Sequence, residues 1–380
     1  MIIVRRLLPI PNPFRPKIRA EMSTLAPQTA EPLPAPRKRV ILSGIQPTGI
    51  PHLGNYLGAL SNWVNLQNTS KPEDELLFTV VGWHALTLPQ KPKELATSRM
   101  DMLAILLAIG IDPKRCILFH QDHNPLHTEL AWILSCLTPI GKLKRMTTWK
   151  SRLATSKNMR DGSEVDETGL NVGLFTYPVL QAADILVYRA THVPVGEDQS
   201  QHLELSRDLA DQFNRTFKGP NRMFPLPTQF NTSSKRILSL RDSASKMSKS
   251  SPDPSSRILL TDSPNEIASK IRTAVTDSIA GITYDPINRP GTANLLTILA
   301  ASKGEDVHET VKGYESKNHG ALKRDVTEAL QEMLRGPREE FERMKSEQGY
   351  LQQVAQEGKE KAVEKAEQTM REVRRRVGLA

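Results

Sequence analysis

The 380-residue chain carries only two cysteines, Cys116 and Cys136. That is too few for a disulfide-stapled scaffold and fits a reducing compartment, with each thiol expected in the core. Apolar runs near the roughly 18 residues needed to cross a bilayer are missing, which excludes a membrane-spanning helix. Acidic residues are absent from the first 20 positions, and the first 36 hold eight of the 27 prolines, so no packed core is expected there. An acid-free, Arg-containing start without an uninterrupted apolar segment and small-residue cleavage site has the character of a mitochondrial transit peptide more than a secretory signal. The alternative is an unstructured tail. Residues 1–36 are therefore set apart from the fold. Met22 could act as an internal start and yield a leaderless cytoplasmic form.

What is present is a chain long enough for two or three domains at roughly 150 residues each. Its net charge is +9, concentrated in residues 37–304. Such an excess attracts polyanions such as RNA, though a solvated surface accounts for it equally well. From Arg39 onward, short apolar runs alternate with helical patterns: Val40 to Leu42, Leu53 to Leu66, Leu76 to Val81, Leu95 to Ile109, then Cys116 to Phe119. This alternation predicts an α/β fold, a doubly wound parallel sheet of Rossmann-like type. In such a sheet ligands gather at the carboxyl ends of the strands, after Leu42, Val81 and Phe119. Gly110 reads as a helix C-cap, with Pro113 beyond it. From Ser263 to the end the pattern is almost wholly helical. Val363, Ala366, Met370, Val373 and Val377 recur at spacings of three and four, as one apolar stripe. Arg374 to Arg376 beside it are either a solvated face or an RNA contact.

Two segments carry chemistry. Between the first strand and first helix, Ser43 to Tyr56 holds Gly44, Gly49 and Gly54, which allow close backbone approach to a ligand. Gly54 lies where the helix begins, so free N–H groups and the positive end of the dipole can receive phosphate, with His52 and Asn55 as neutral donors. The plainer reading is a helix N-terminus that happens to hold a histidine. Some 190 residues later, after the apolar run Ile237 to Leu240, comes Lys246-Met247-Ser248-Lys249-Ser250. A small-residue loop with two lysines can close over a triphosphate and neutralise charge on departing pyrophosphate. Alone it would be solvent-facing loop.

Together the segments resemble the paired signatures of class I aminoacyl-tRNA synthetases. Pro51 to Asn55 is similar to "HIGH", with Asn55 in place of the second histidine, and Lys246 to Ser250 matches "KMSKS" letter for letter. Ser43 to Gly49, Tyr177 to Asp184 and Val193 to Gln199 resemble blocks of the tryptophanyl-tRNA synthetase family, mitochondrial type, from about Val40 to the C-terminus. The resemblance implies activation of L-tryptophan by ATP, magnesium being carried with the nucleotide and no dedicated metal site, then transfer to tRNA(Trp), by a homodimer in the mitochondrial matrix. It places His52, Asn55, Lys246 and Lys249 in catalysis. Gln46, Pro47, Thr48, Gly54, Gly196, Glu197, Asp198, Ile237, Met247, Ser248 and Ser250 join them around ATP. Gly44, Tyr177, Gln181, Asp184, Val193 and Val195 fall around tryptophan, Asp184 accepting the indole N–H. An acceptor in an apolar pocket would reject phenylalanine by being left unpaired, whereas a helix-surface aspartate is the plain alternative. Gln181 replaces a methionine usual in bacterial members, and a stretch from about Leu153 to Asn171 looks inserted. Either Lys150 or Arg152 would inherit a phosphate-binding lysine. The basic run Lys142 to Arg160, with Trp149 in it, could meet tRNA or ATP. The expected organisation is a catalytic domain over 37–235, the lysine-loop region over 236–262 and a helical anticodon-binding domain over 263–380. Rival readings are a tyrosyl-tRNA synthetase, a nucleotidyltransferase without an RNA partner, and an RNA-binding pseudo-enzyme. The Gly196 block disfavours the first, the helical tail the second, and the retention of His52 and Lys249 the third.

Overall fold

The computed structural model describes residues 38–156, 169–194, 196, 199–230, 236–249 and 251–380. The leader assigned to residues 1–36 and most of the inserted stretch lie outside these. Strands β1 (Val40–Ile45), β2 (Glu75–Val80), β3 (Ile117–His120), β4 (His192–Val193) and β5 (Thr228–Gln229) form one parallel sheet in the order β3-β2-β1-β4-β5. Strand β1 is central and buried on both faces, which is why it and β2 read as unbroken apolar runs rather than alternating ones. The order reverses between β1 and β4, so a crevice opens at their carboxyl ends.

The crossovers follow the expected pattern with shifted ends. After β1 come α1 (Leu53–Asn55), a π-helical turn (Tyr56–Leu60) and α2 (Ser61–Thr69). Beyond β2 lie α3 (Gly82–Ala85) and α4 (Pro92–Ala108), closed by Gly110 at φ +100°. After β3 come α5 (Leu126–Leu137), α6 (Ile140–Arg145), α7 (Thr148–Ser156) and α8 (Val172–Leu186), and α9 (Ser200–Thr216) joins β4 to β5. The run Ile237 to Leu240 pairs through a single antiparallel bridge, Leu238 to Lys246. The Asn294 amide also brackets the Leu238 N–H and C=O at 2.9 and 3.1 Å, and Leu240 bonds the backbone of Ser256 and Val275.

The C-terminal part holds α10 (Pro264–Arg272), α11 (Pro290–Lys303), α12 (Val307–Lys312), α13 (His319–Ser346) and α14 (Gln348–Val377). Residues 273–289 depart from the helical expectation. Buried Arg289 gathers them instead, donating to Asp277, Thr283 and the carbonyls of Ile279 and Gly281 at 2.7–3.1 Å. A guanidinium with five donors in a fixed fork suits this knot.

Residues 38–380 form one compact unit. One face of the sheet, with Ile41, Phe78 and Leu118, shares a core with Leu322, Val326, Leu330 and Leu334 of α13. The other, with Leu42, Leu77 and Phe119, shares one with Ala366, Met370 and Val373 of the α14 stripe. Packing is thus continuous across residue 263. Helix α14 lies directly on β3 at Gly358, where a Cβ would sit 1.8 Å from the Leu118 carbonyl oxygen. Among the described residues no helix is long and apolar enough to cross a membrane. Cys116 is buried and its thiol is pushed up to about 12 by that burial, whereas Cys136 is exposed, contrary to the expectation for it.

Candidate active site

The strand ends meet at a cavity of about 310 Å³ lined by Leu42 to Ile45 of β1 and Gln46 after it, Leu60 and Trp63, Thr79 of β2 and Val81 after it, His84, and Tyr177, Gln181 and Asp184 of α8. Val193, Gly196 and Arg152 also line it. Gly44 is required where β1 passes β2, since a Cβ there would lie 2.9 Å from Val81 Cγ1. Trp63 is stacked on Phe78 with centroids 4.7 Å apart, which makes that wall rigid and aromatic.

Asp184 ends this cavity, almost wholly buried. His84 Nε2 and His127 Nδ1 each lie 2.7 Å from its carboxylate, and Gln121 Nε2 donates to both oxygens at 2.7 and 2.8 Å. Burial opposes ionisation of this group, but the hydrogen bonds from His127 and His84 outweigh it and hold the carboxyl down at about 2. It is therefore an ionised acceptor, held by His84, His127 and Gln121 at the end of the cavity. Tyr177 donates to or accepts from His202 Nε2 at 3.0 Å and carries the Arg152 guanidinium 4.5 Å above its ring.

A second cavity of about 230 Å³ adjoins the first through Ile45 and Gln46 and is closed by Thr48, His52, Asn55 and Lys249. His52 and Asn55 form a capping box at the start of α1: Asn55 N–H donates to His52 Nδ1 at 3.2 Å, and His52 N–H to Asn55 Oδ1 at 3.1 Å. Because Nδ1 accepts, the ring proton resides on Nε2. Burial, with Lys249 and Arg257 nearby, lowers His52 to about 4, so at neutral pH it is an uncharged donor. Lys249 Nζ crosses from the distant loop to the Gly49 carbonyl at 2.7 Å, with Thr48 O and Oγ1 at 3.4 and 3.3 Å. Burial, aided by Arg257, lowers its ammonium to about 8. The two motifs, 200 residues apart, thus touch.

The other candidates divide. Pro47 is buried in the turn beneath Thr48, and Gly54 lies against the His52 ring and Ile237. Ile237 and Met247 are core residues that hold the loop from below, Met247 N–H bonding the Ile237 carbonyl, and neither lines a cavity described above. Lys246 is exposed, its backbone tied to Leu238, and it does not line these cavities; Ser248 is half-buried beside it. Val195, Glu197, Asp198 and Ser250 lie outside the described residues. Arg152 lines the larger cavity and Lys150 is exposed. Trp149 is buried with its N–H on the Leu143 carbonyl, so its ring is not open to a base. His84, Gln121 and His127 are not among the residues named from sequence. Gln121 directly follows β3 and His84 lies in α3 just beyond β2, where a doubly wound sheet concentrates chemistry, so that rule could have found them.

A family model described as tRNA synthetases class I (W and Y) matches residues 35–335. The chain belongs to this family. It is 44% identical over 351 residues to the mitochondrial tryptophan–tRNA ligase of Schizosaccharomyces pombe, covering 91% of this chain and 96% of that one. The tryptophanyl-tRNA synthetase of Mycoplasma pneumoniae superposes with a TM-score of 0.77 at 34% identity, over 90% of this chain and 98% of that one. The enzyme of Campylobacter jejuni, solved with ADP and tryptophan, superposes with a TM-score of 0.73 at 30% identity, over 90% and 100%. As in its family, then, the sheet is Rossmann-like.

Proposed function

We propose that this chain is a tryptophan–tRNA ligase. The observation that carries the reading is the junction of two cavities: an apolar one ended by an ionised acceptor, and one closed by a neutral histidine and a lysine. Tryptophan fits the first, its indole, a donor only, facing Asp184. The triphosphate of ATP fits the second. The amino acid's carboxylate, already ionised, attacks the α-phosphorus in line and pyrophosphate leaves, so no general base is needed. His52 Nε2–H and the Lys249 ammonium stabilise the charge that develops, Asn55 fixes the His52 ring, and Lys246 joins when the loop closes. The adenylate then passes its acyl group to the terminal adenosine of tRNA.

Magnesium enters with the ATP substrate, carried on its phosphates. Helices α10 to α14 supply the anticodon-binding part. A homodimer is supported by apolar side chains left exposed around α3 to α8, namely Leu86, Trp132, Ile140 and Val172. The first 36 residues and the name of the S. pombe relative support a mitochondrial matrix location. Pyrophosphate exchange with each of the twenty amino acids tests the function: tryptophan alone should support ATP formation, and exchange with tyrosine instead would overturn the reading. Asp184→Ala should narrow the preference for tryptophan over phenylalanine by at least about ten-fold, and an unchanged ratio removes Asp184 from its role.

A further inference from the structure

Behind the carboxylate that ends the larger cavity runs a chain of buried polar groups the mechanism does not use. Asn124, His127 and Tyr188 are each 0–1% exposed, and none lines the cavity. Their hydrogen bonds have a single consistent direction. The Asn124 side-chain oxygen accepts from the Leu126 N–H at 3.1 Å, which sets the amide's orientation and leaves its NH2 to donate to the Tyr188 hydroxyl at 3.0 Å. The Tyr188 oxygen lies 2.7 Å from His127 Nε2, and His127 Nδ1 lies 2.7 Å from Asp184 Oδ1. An ionised Asp184 can only accept, so Nδ1 must carry a proton. Tyr188 already accepts from Asn124, and its own proton finds its acceptor, among the described residues, at His127 Nε2. A buried hydroxyl proton without an acceptor would be costly, so Nε2 holds the lone pair. The order is therefore Asn124 to Tyr188 to His127 to Asp184, each donating to the next. Phe119, edge-on to Tyr188 at 5.5 Å, is part of the apolar packing around it.

We propose that Asn124, Tyr188 and His127 form a one-way hydrogen-bond relay that locks the His127 tautomer and holds Asp184 as an acceptor aimed at a ring N–H of the substrate. They are positioning residues for specificity, acting from outside the cavity. Without Tyr188 the Nε2 side of the imidazole loses the partner that holds it, so the ring, tied then only through Nδ1 to Asp184, is less firmly oriented and aims the carboxylate at the substrate less sharply. The proposal rests on the reading of the larger cavity as an indole site.

The test compares tryptophan with β-(benzothiophen-3-yl)alanine, an isostere whose ring N–H is replaced by sulfur, in pyrophosphate exchange. In Tyr188→Phe the ratio of kcat/KM for tryptophan over the isostere should fall by about three-fold or more, through KM for tryptophan, while KM for ATP and the value for the isostere hold. A fall in both amino acids together, or a ratio changed by less, overturns the relay. If Tyr188→Phe does not fold, the same ratio is read in His127→Asn, whose amide can always donate to Asp184, and in His127→Phe, which cannot. Retention in the first with loss in the second is expected, and any other pattern overturns the relay. Failure of the unaltered protein to use tryptophan at all would instead strike the underlying function.

Discussion

Lys249 bridges the two signature segments, and the contacts that let it do so also set its acid strength. Held at about 8 by burial beside Arg257, it loses its charge in the alkaline range when no phosphate is bound. The ratio kcat/KM for ATP should therefore decline as pH rises through about 8, and Lys249→Arg should lose that alkaline limb because guanidinium stays protonated. An alkaline limb unchanged in the arginine variant would assign the titration elsewhere. Lys249→Ala should lower the rate of adenylate formation by about 100-fold with little change in tryptophan affinity, read by single-turnover kinetics. Sequence singled out this residue because its motif is specific. It could not separate Lys249 from Lys246, since which lysine faces the phosphate space depends on the loop's bridge to Leu238.

At the scale of elements, the docking of α14 on β3 depends on one absent side chain. A methyl group at Gly358 would lie 1.8 Å from the Leu118 carbonyl, a backbone atom that cannot move without disturbing the sheet. Gly358→Ala should cost about 1–3 kcal/mol or more. Gly349→Ala, in the first turn of the same helix with open space around the new methyl, should be neutral or stabilising by up to about 1 kcal/mol. Urea unfolding of the two variants checks this, and equal midpoints would mean the close approach is not what orders the helix. The amphipathic stripe of α14 was readable from its spacing, whereas its partner was not, because periodicity identifies an apolar face and says nothing of what covers it. The segment 273–289 was misread as helical for a related reason: what organises it is a buried guanidinium whose acceptors come from the segment itself and its neighbours.

The whole molecule binds its helical C-terminal part to both faces of the sheet through shared cores. A chain ending at residue 262 should accordingly expose the sheet, fail to melt cooperatively and bind hydrophobic dye. A sharp transition in that fragment would show the two parts to be independent. Acid should also weaken the fold earlier than carboxylates alone would dictate. His52 and His120 are lowered by burial from 6.5 to about 4 and about 3, with Lys249 and Arg257 facing the first and Arg99 and His123 the second. Below pH 6.5 the unfolded chain binds protons at these sites that the native state refuses. Stability thus falls as pH drops from 6.5 toward 4, by at most about 1.4 kcal/mol per pH unit for each histidine. Thermal melts at pH 7 and pH 5 measure it, and equal midpoints would contradict the histidine account.

The sequence by itself determined the alternating α/β order, the glycine-bearing turn and the lysine loop, and through them the family and its reaction. Each of these is local: apolar spacing, turn-permitting glycines and short fixed motifs are written in neighbouring residues. Tertiary structure decided which groups surround Asp184, which lysine reaches the turn, and that Trp149, Ile237 and Met247 are buried supports rather than open surfaces. Those outcomes depend on residues dozens to hundreds of positions apart meeting in space, where hydrogen-bond direction and desolvation, rather than residue type, assign each side chain its state.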